Sequence, residues 1–273
     1  MSKVIFITGA SRGFGKIWAE AFLDRGDQVV LTSRRLGGFE EIANKYGNAV
    51  LPLELDITDR AACFEAIEKA KAHFGKIDVV INNAGTGVFG AVEEIAEQDA
   101  RDIIDANFFG TLWITQAALP VMRAQGSGHI VQLSSALGIY SFPTVGIYSA
   151  SKFAVEGLSE ALAQEVKAFG IHVTLIEPNG YATDFGSSSV QSNPIPAYGN
   201  MKAELYTHPE FTGADVYGVP NATAEAILQL VDAPNPPVRL ILGKKALPLA
   251  KFAYAERLSA WEEWNEVSVK AHG

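Results

Sequence analysis

The chain has 273 residues, 48% hydrophobic and 19% charged, an ordinary balance for a globular protein of one or two domains. Asp and Glu number 31 against 22 Lys and Arg, and the resulting net charge of −9 argues against a nucleic-acid partner, an anionic membrane surface or a polyanionic substrate. A lone cysteine, Cys63, excludes a disulfide framework, and its place in a helical-looking run suits a small apolar filler better than a reactive thiol.

The first strand is predicted within four residues of the start, with no charged segment leading into a long apolar core, so no signal peptide is expected and the cytoplasm is the default location. That strand, Val4-Ile5-Phe6-Ile7, passes through Thr8-Gly9-Ala10-Ser11-Arg12-Gly13-Phe14-Gly15 into a helical stretch over 13–25. Strand, glycine turn and helix together let the backbone approach a pyrophosphate and aim free N–H groups at it. The spacing Gly-x-x-x-Gly-x-Gly differs from the commoner Gly-x-Gly-x-x-Gly, and a glycine turn without a ligand is the competing reading.

Further strands are predicted over 28–32, 49–54, 78–82, 129–134, 172–177 and 238–242, and helices over 39–46, 60–74, 100–123, 150–169 and 222–230. This alternation is the pattern of a doubly wound parallel sheet. No linker divides the chain, and no run is apolar for long enough to span a membrane. The longest irregular stretch, 180–220, is rich in Ser, Gly, Pro and Asn; a loop of that length is usually functional, often a lid.

Strand tips carry the candidate chemistry. The second strand ends in Ser33-Arg34-Arg35 with no carboxylate to accept from a ribose 2′-hydroxyl, which favours NADP over NAD; the competing reading makes both arginines solvated loop charges. Asn82-Asn83-Ala84-Gly85 follows the fourth strand, where small residues let the chain run beside a cofactor and the asparagines could equally stabilise a turn. Asn107 sits in an apolar helical run, a poor place for Asn by propensity. Tyr148 and Lys152 lie four apart on one helical face, where the ammonium is expected to favour the phenolate. The five histidines have no metal-ligand spacing.

Taken in order and spacing, Thr8-Gly-x-x-x-Gly-x-Gly15, Asn82-Asn83-Ala84-Gly85, Asn107, Ser135 and Tyr148-x-x-x-Lys152 resemble the short-chain dehydrogenase/reductase family over about the first 185 residues. The resemblance implies an α/β fold with a Rossmann-type, doubly wound, seven-stranded parallel sheet, a single domain over 1–273 with a lid around 180–220. It implies that Ser135, thirteen positions before Tyr148, is the catalytic serine in preference to Ser134. Ser135 then donates to a carbonyl oxygen that Tyr148 protonates, Lys152 binds the nicotinamide ribose, and Asn107 holds a relay water. On the cofactor side it implies contacts from Gly9, Ser11, Arg12, Gly13, Phe14 and Gly15 in the turn, then Arg34, Asp56 and Ile57, then Asn83, Ala84 and Gly85. Asp56 is assigned to adenine, although an Asp there also suits a helix cap. The stretch Pro178-Asn179-Gly180-Tyr181-Ala182-Thr183 departs from the Pro-Gly usual in relatives; Asn tolerates positive φ, so the turn is expected to survive with Pro178, Gly180 and Thr183 near the nicotinamide.

The implied activity is that of an NADPH-dependent carbonyl reductase or alcohol dehydrogenase acting on a small molecule, without metal. A regulatory or scaffold protein that binds NADP and has lost turnover is the alternative, and the intact Asn107, Ser135, Tyr148 and Lys152 set weighs against it. An epimerase or dehydratase on an activated sugar lacks an evident basic site for a second diphosphate. Relatives pair two helices across a two-fold axis, so Ala154, Leu158, Ala161, Leu162 and Phe169, with the apolar run 108–119, imply a homodimer or homotetramer; burial against the chain's own sheet explains these faces as well. Between 181 and 217 the stretch offers Tyr181, Phe185, Ile195, Tyr198, Met201, Leu205, Tyr206, Phe211 and Tyr217 against the basic residues Lys202 and His208, with Asp184, Glu204, Glu210 and Asp215 as acids. A neutral, largely apolar ketone, aldehyde or alcohol is the expected substrate.

Overall fold

The computed structural model describes residues 2–208 and 216–273. Its strands are β1 Val4–Ile7, β2 Gln28–Ser33, β3 Val50–Glu54, β4 Val79–Asn82, β5 Val88–Phe89, β6 Gly128–Leu133, β7 Ile171–Pro178, β8 Val190–Gln191 and β9 Arg239–Leu242. Seven of them form one parallel sheet in the order β3-β2-β1-β4-β6-β7-β9, while β5 and β8 pair separately. The order reverses between β1 and β4, and in open sheets of this kind ligands bind in the crevice beyond the strand ends at that reversal.

Helices cover both faces: α1 Gly13–Asp24, α2 Glu40–Tyr46, α3 Arg60–Phe74, α4 Glu97–Ile104, α5 Thr111–Gln125, α6 Gly146–Glu165, α7 Phe185–Ser188, α8 Gly199–Thr207, α9 Thr223–Asp232, α10 Ala246–Glu263 and α11 Asn265–Lys270. Because both faces are covered, the central strands are apolar on both sides, as the fully buried run Val4, Ile5, Phe6, Ile7 shows. One core holds Trp18, Phe22, Ile42 and Ile227 from α1, α2 and α9. The other holds Cys63, Ile67, Ile114, Met122 and Leu162 from α3, α5 and α6. The indole N–H of Trp18 donates to Thr223 Oγ1 at 2.8 Å, so the largest buried side chain leaves no donor unmet; truncating such a residue to Ala typically costs about 3–5 kcal/mol. Burial pushes the Cys63 thiol up to about 12, in keeping with an inert core filler.

The seven expected sheet strands are present with ends shifted by a residue, but the expected helix over 100–123 is two helices. It begins at Glu97 and widens into a π-helical turn over Asp105–Gly110 before resuming as α5. Wider turns of this kind concentrate at functional positions, and this one carries Asn107. The stretch 180–220, expected to be irregular, contains α7, β8 and α8 among its described residues. Also unforeseen is α10, whose Ala246, Leu249, Ala250 and Ala253 pack on Ala136, Ile139 and Tyr140. Arg257 on the same helix donates to the Ile139 carbonyl at 2.8 Å. Among the described residues no helix is long and apolar enough to cross a membrane.

Candidate active site

The glycine turn is closed by the strand beside it. Thr8 Oγ1 accepts from the backbone N–H groups of Asn83 and Ala84, each at 3.0 Å, and the Asn83 amide donates to the carbonyls of Thr8 and Gly9 at 2.9 and 3.0 Å. Asn83 therefore braces the turn with both its side chain and its backbone N–H. Packing is tight enough to demand glycine: a Cβ on Gly15 would lie 2.4 Å from the Gly9 carbonyl oxygen and 2.5 Å from the Asn83 amide nitrogen, and Gly9 itself has φ +66. Gly13, Phe14 and Gly15 begin α1, so the N–H groups of that first turn have no partner within the helix. Arg12 takes the extended position just before α1, with Ser11 ahead of it.

Ala10 N–H donates to the Thr32 carbonyl at 2.9 Å, which fixes the turn beside the end of β2 and brings the Arg12 and Arg34 segments to one side of the crevice. Both arginines are exposed, and neither forms an ion pair with a described residue. Leu55 N–H donates to the Ser33 carbonyl at 2.8 Å, aligning the tip of β3 with the same edge. There Asp56 accepts from the Thr58 N–H and hydroxyl at 2.9 and 2.8 Å, and the cap of α3 is Asp59, which accepts from Ala62 N–H. Capping thus falls to a different aspartate, and Asp56 keeps its second oxygen free of described partners. Ile57 packs under the π-helical turn: a Cβ on Gly110 would come within 2.6 Å of its Cδ1.

Four expected catalytic side chains meet beyond β4 and β6. Asn107 is 1% exposed and spans a peptide: its Oδ1 accepts from Thr86 N–H at 2.9 Å while its Nδ2 donates to the Thr86 carbonyl at 3.0 Å and to Ser151 Oγ at 2.9 Å. A Cβ on Gly85 would lie 3.0 Å from Asn107 Oδ1 and 3.7 Å from Lys152 Nζ, so the three positions share one small space. Ser135 follows β6 and accepts from Leu137 N–H at 3.1 Å, which holds its Oγ at the start of a short helical turn. Tyr148 faces Ser135, whose hydroxyl is near enough to act on the phenol. Around the phenol stand Phe185, whose ring centroid is 5.6 Å away, and Phe89 at 6.2 Å.

The electrostatics differ from the expectation that the ammonium favours a phenolate. Burial pushes the Tyr148 phenol up to about 12, a shift only partly offset by the Ser135 hydroxyl. Lys152 Nζ lies 5.8 Å from the centre of the Tyr148 ring and donates to the Leu133 carbonyl at 2.8 Å. Its own burial holds the ammonium down to about 8, with Glu156 pulling the other way. In the protein alone, the phenol is thus a firmly held proton and the ammonium the more labile one.

Beyond β7 the Pro178 carbonyl end leads to Asn179, which avoids positive φ; among described non-glycine residues only Thr144 has it. The turn is instead held from the neighbouring strand. Asn179 N–H donates to the Leu242 carbonyl at 3.0 Å, and Gly243 supplies the φ of +99 and the room, since a Cβ there would lie 1.6 Å from Asn179 Oδ1. Gly180 follows, where a Cβ would touch the Tyr217 ring at 3.1 Å. Thr183 reaches the glycine turn, its Cβ 3.9 Å from where a Cβ on Gly13 would be, and accepts from Phe185 N–H at 3.4 Å. Tyr181 packs edge-on against Phe14, and Phe14 stacks on Trp18, with both centroid distances 5.1 Å.

Two clusters escaped the sequence reading. Glu94 is buried and clasps the chain after β8: its carboxylate accepts from Lys202 Nζ at 2.5 Å, Ile195 N–H at 2.7 Å, Ala91 N–H at 2.8 Å and Ser192 Oγ at 3.2 Å, and the Lys202 and backbone hydrogen bonds hold it down to about 2. The second cluster joins Glu156, one helical turn after Lys152, to Glu177 and Arg239. Its only signal in the sequence is an acid within each of two otherwise apolar stretches. Phe211, Glu210 and Asp215 lie outside the described residues. Among the described residues no group of three or more His, Cys, Asp or Glu side chains is placed to hold a metal.

A family model described as short chain dehydrogenase matches residues 3–194. The chain belongs to the short-chain dehydrogenase family. An oxidoreductase of Botryotinia fuckeliana is 41% identical over 98% of this chain and 99% of its own length. A 3-ketodihydrosphingosine reductase of Bacteroides thetaiotaomicron is 36% identical, covering 94% of this chain and 92% of its own. Among solved structures, a short-chain dehydrogenase from Streptomyces avermitilis superposes with a TM-score of 0.89 at 36% identity, over 99% of this chain and 98% of that one. Cofactor-bound neighbours are of both kinds. An alcohol dehydrogenase from Thermococcus sibiricus holds 5-hydroxy-NADP (TM-score 0.75, 26% identity, 90% and 98% coverage), and a 3-ketoacyl-(acyl-carrier-protein) reductase from Brucella melitensis holds NADH (0.76, 26%, 89% and 98%). As a short-chain dehydrogenase the chain is an oxidoreductase, and the cradle described above fits a nicotinamide dinucleotide: an α1 N-terminus with unpartnered N–H groups, glycines where a Cβ would clash, and unpaired cations at the tip of β2.

Proposed function

We propose that this short-chain dehydrogenase is an NADPH-dependent carbonyl reductase or alcohol dehydrogenase acting on a neutral, largely apolar ketone, aldehyde or alcohol. The observation that carries the reading is the pairing of the Ser135 and Tyr148 side chains at the foot of an aromatic niche. A substrate oxygen placed there accepts from both hydroxyls, and Tyr148, kept protonated by its burial, delivers its proton to that oxygen in reduction. NADPH, when bound, supplies the hydride. Lys152 binds the nicotinamide ribose. Asn107 sets the Thr86 peptide and Ser151 around Lys152, and its own carbonyl, which accepts from Thr111 Oγ1 at 2.8 Å, keeps a second lone pair for a relay water.

Arg12 and Arg34 are assigned to the 2′-phosphate, which supports NADP over NAD. The turn Gly9, Ser11, Gly13, Phe14 and Gly15 is assigned to the pyrophosphate, Asp56 and Ile57 to adenine, Asn83, Ala84 and Gly85 to the ribose side, and Pro178, Gly180 and Thr183 to the nicotinamide. We read the stretch 180–220 as the substrate lid of a single-domain protein. Lys202, one of its two basic residues, is already neutralised by Glu94, so a charged substrate finds no free lysine there. The Bacteroides relative, by name a 3-ketodihydrosphingosine reductase, supports a ketone as the reacting group.

A homodimer or homotetramer in the cytoplasm completes the proposal. Leu162 is buried in its own core, but Phe153 and Phe169 on the outer side of the same helical region are 38% and 43% exposed, and Trp261 and Trp264 add apolar surface at the end of the chain. The substrate assignment is tested by competing an uncharged aryl ketone against a matched keto acid in the presence of NADPH. The uncharged ketone is expected to have the higher kcat/KM by about tenfold or more, the scale on which an unpaired charge is penalised. Preference for the acid would overturn the assignment.

A further inference from the structure

The protein buries two carboxyl groups against one guanidinium. Glu156 lies four residues after Lys152 on α6, one turn along the same face, and is 4% exposed; Glu177, at the end of β7, is wholly buried. A single nitrogen of Arg239, on β9, donates to both: to Glu177 Oε1 at 2.7 Å and to Glu156 Oε2 at hydrogen-bond contact. The other terminal nitrogen of Arg239 reaches Glu160 at 3.3 Å. Ser134 Oγ, next to Ser135, donates to Glu156 Oε1. Glu177 Oε2 has no partner among the described residues.

This arrangement is costly in isolation. One half-exposed guanidinium does not neutralise two adjoining buried carboxylates, and replacing such clusters by apolar residues is often neutral or stabilising. Space is reserved for it all the same: a Cβ on Gly138, in the turn that follows Ser135, would lie 2.9 Å from Glu156 Cγ and 2.7 Å from Ser134 Oγ. Lys152 lies one helical turn before Glu156 and is buried too, with only the Leu133 carbonyl as its hydrogen-bond acceptor, and the Glu156 charge acts on its ammonium through space.

We propose that Glu156 is a positioning residue for Lys152, the buried counter-ion that keeps the ammonium charged in the site, while Ser134, Arg239 and Glu177 hold that carboxylate in place. The groups facing it are Lys152 and Glu160 on its own helix, Ser134 after β6, Glu177 on β7 and Arg239 on β9. Burial and the neighbouring Glu177 push Glu156 up to about 7, and burial raises Glu177 as well, so Glu156 gains its full charge as the pH rises through that range. That is the range in which Lys152, held down to about 8, begins to lose its proton. The counter-ion is thus strongest where the ammonium is most at risk.

The inference builds on the role proposed for Lys152, but its test does not require turnover. Titrating the lysine 13Cε resonances of the cofactor-free protein, with the Lys152 signal assigned through Lys152→Met, reads the ammonium directly. In Glu156→Gln the Lys152 midpoint is expected to fall by about one pH unit. Glu177→Gln loosens the same Arg239 but leaves Glu156, the carboxylate that acts on Lys152, so its midpoint should stay with the unmodified protein. Glu156→Asp, which keeps the charge but withdraws it, should lie between the two and serves alone if the Gln variant does not fold. An unmoved midpoint in the folded Glu156 variants, or an equal fall in Glu177→Gln, overturns the proposal. The alkaline limb of kcat with NADPH should move in the same order. Near-normal turnover by Lys152→Met would instead remove the underlying role of the lysine, whichever way the titration came out.

Discussion

The two walls of the crevice are held by different means. The inner wall, made by the ends of β1, β4 and β6 with α6, is backed by the sheet: Tyr148, Lys152, Ser135 and Asn107 are all at least nine-tenths buried, and each has a partner in the strand, turn or helix behind it. The outer wall, over 185–202, has no such backing. It is attached by Phe185 packing on Tyr148 and Phe89, by two residue pairs between β5 and β8, by the Tyr198 hydroxyl on Glu93 at 2.5 Å, and by the clasp at Glu94. A wall that must place a proton donor needs rotamers locked by packing. In the proposed function the outer wall admits the substrate, a role served by a few separable contacts because regions that open are drawn from the less stable parts of a fold.

This contrast predicts that changes to the inner wall act on the chemical step and changes to the outer wall on entry and binding. The largest effect is expected from Tyr148→Phe, which should lower kcat by about three orders of magnitude, the middle of the range for loss of a positioned proton donor, while melting and NADPH binding stay nearly unchanged. More than about a tenth of normal turnover would put the proton donor elsewhere. Next is Arg34→Asp: with charge-assisted hydrogen bonds worth roughly 1.5–3 kcal/mol, the ratio of kcat/KM for NADPH over NADH should fall by about tenfold or more. An unaltered ratio would leave Arg34 a solvated surface charge.

The smallest effect on chemistry, and the most telling for the outer wall, belongs to Glu94→Gln. Loss of the Lys202 pair should raise KM several-fold and speed proteolytic nicking within 185–208, with kcat within about threefold of normal. The sign for pH follows from the depressed carboxyl. Folding favours the charged form, so the clasp is intact above the ordinary carboxylate range and is lost as the pH falls from about 4.5 toward about 2. Faster nicking should therefore appear in the unmodified protein on acidification and be absent from the pH dependence of the Gln variant. Equal proteolysis of both proteins at neutral pH would show that the clasp does not hold this wall.

Much of the inner wall was legible because its residues are near one another in the chain. Tyr148 and Lys152 share one helical face by their spacing, Ser135 stands at the end of the strand before that helix and was picked out by the family resemblance, and the glycine turn is a local strand–turn–helix unit. Alternating apolar strands and amphipathic helices determined the sheet for the same reason: period and burial are written in each segment separately. Only the tertiary structure decided the rest. Glu94 meets Lys202 across 108 positions and Glu156 meets Arg239 across 83, and no local pattern reports such pairs. The turn at Asn179 is held at Gly243, on another strand's exit. The protonation of the site belongs here too. Four positions apart on a helix, Lys152 was expected to draw the proton from Tyr148; enclosure by Phe89, Phe185 and the chain around them instead pushes that phenol up and the ammonium down, because desolvation depends on everything packed around a group and not on its spacing from one neighbour.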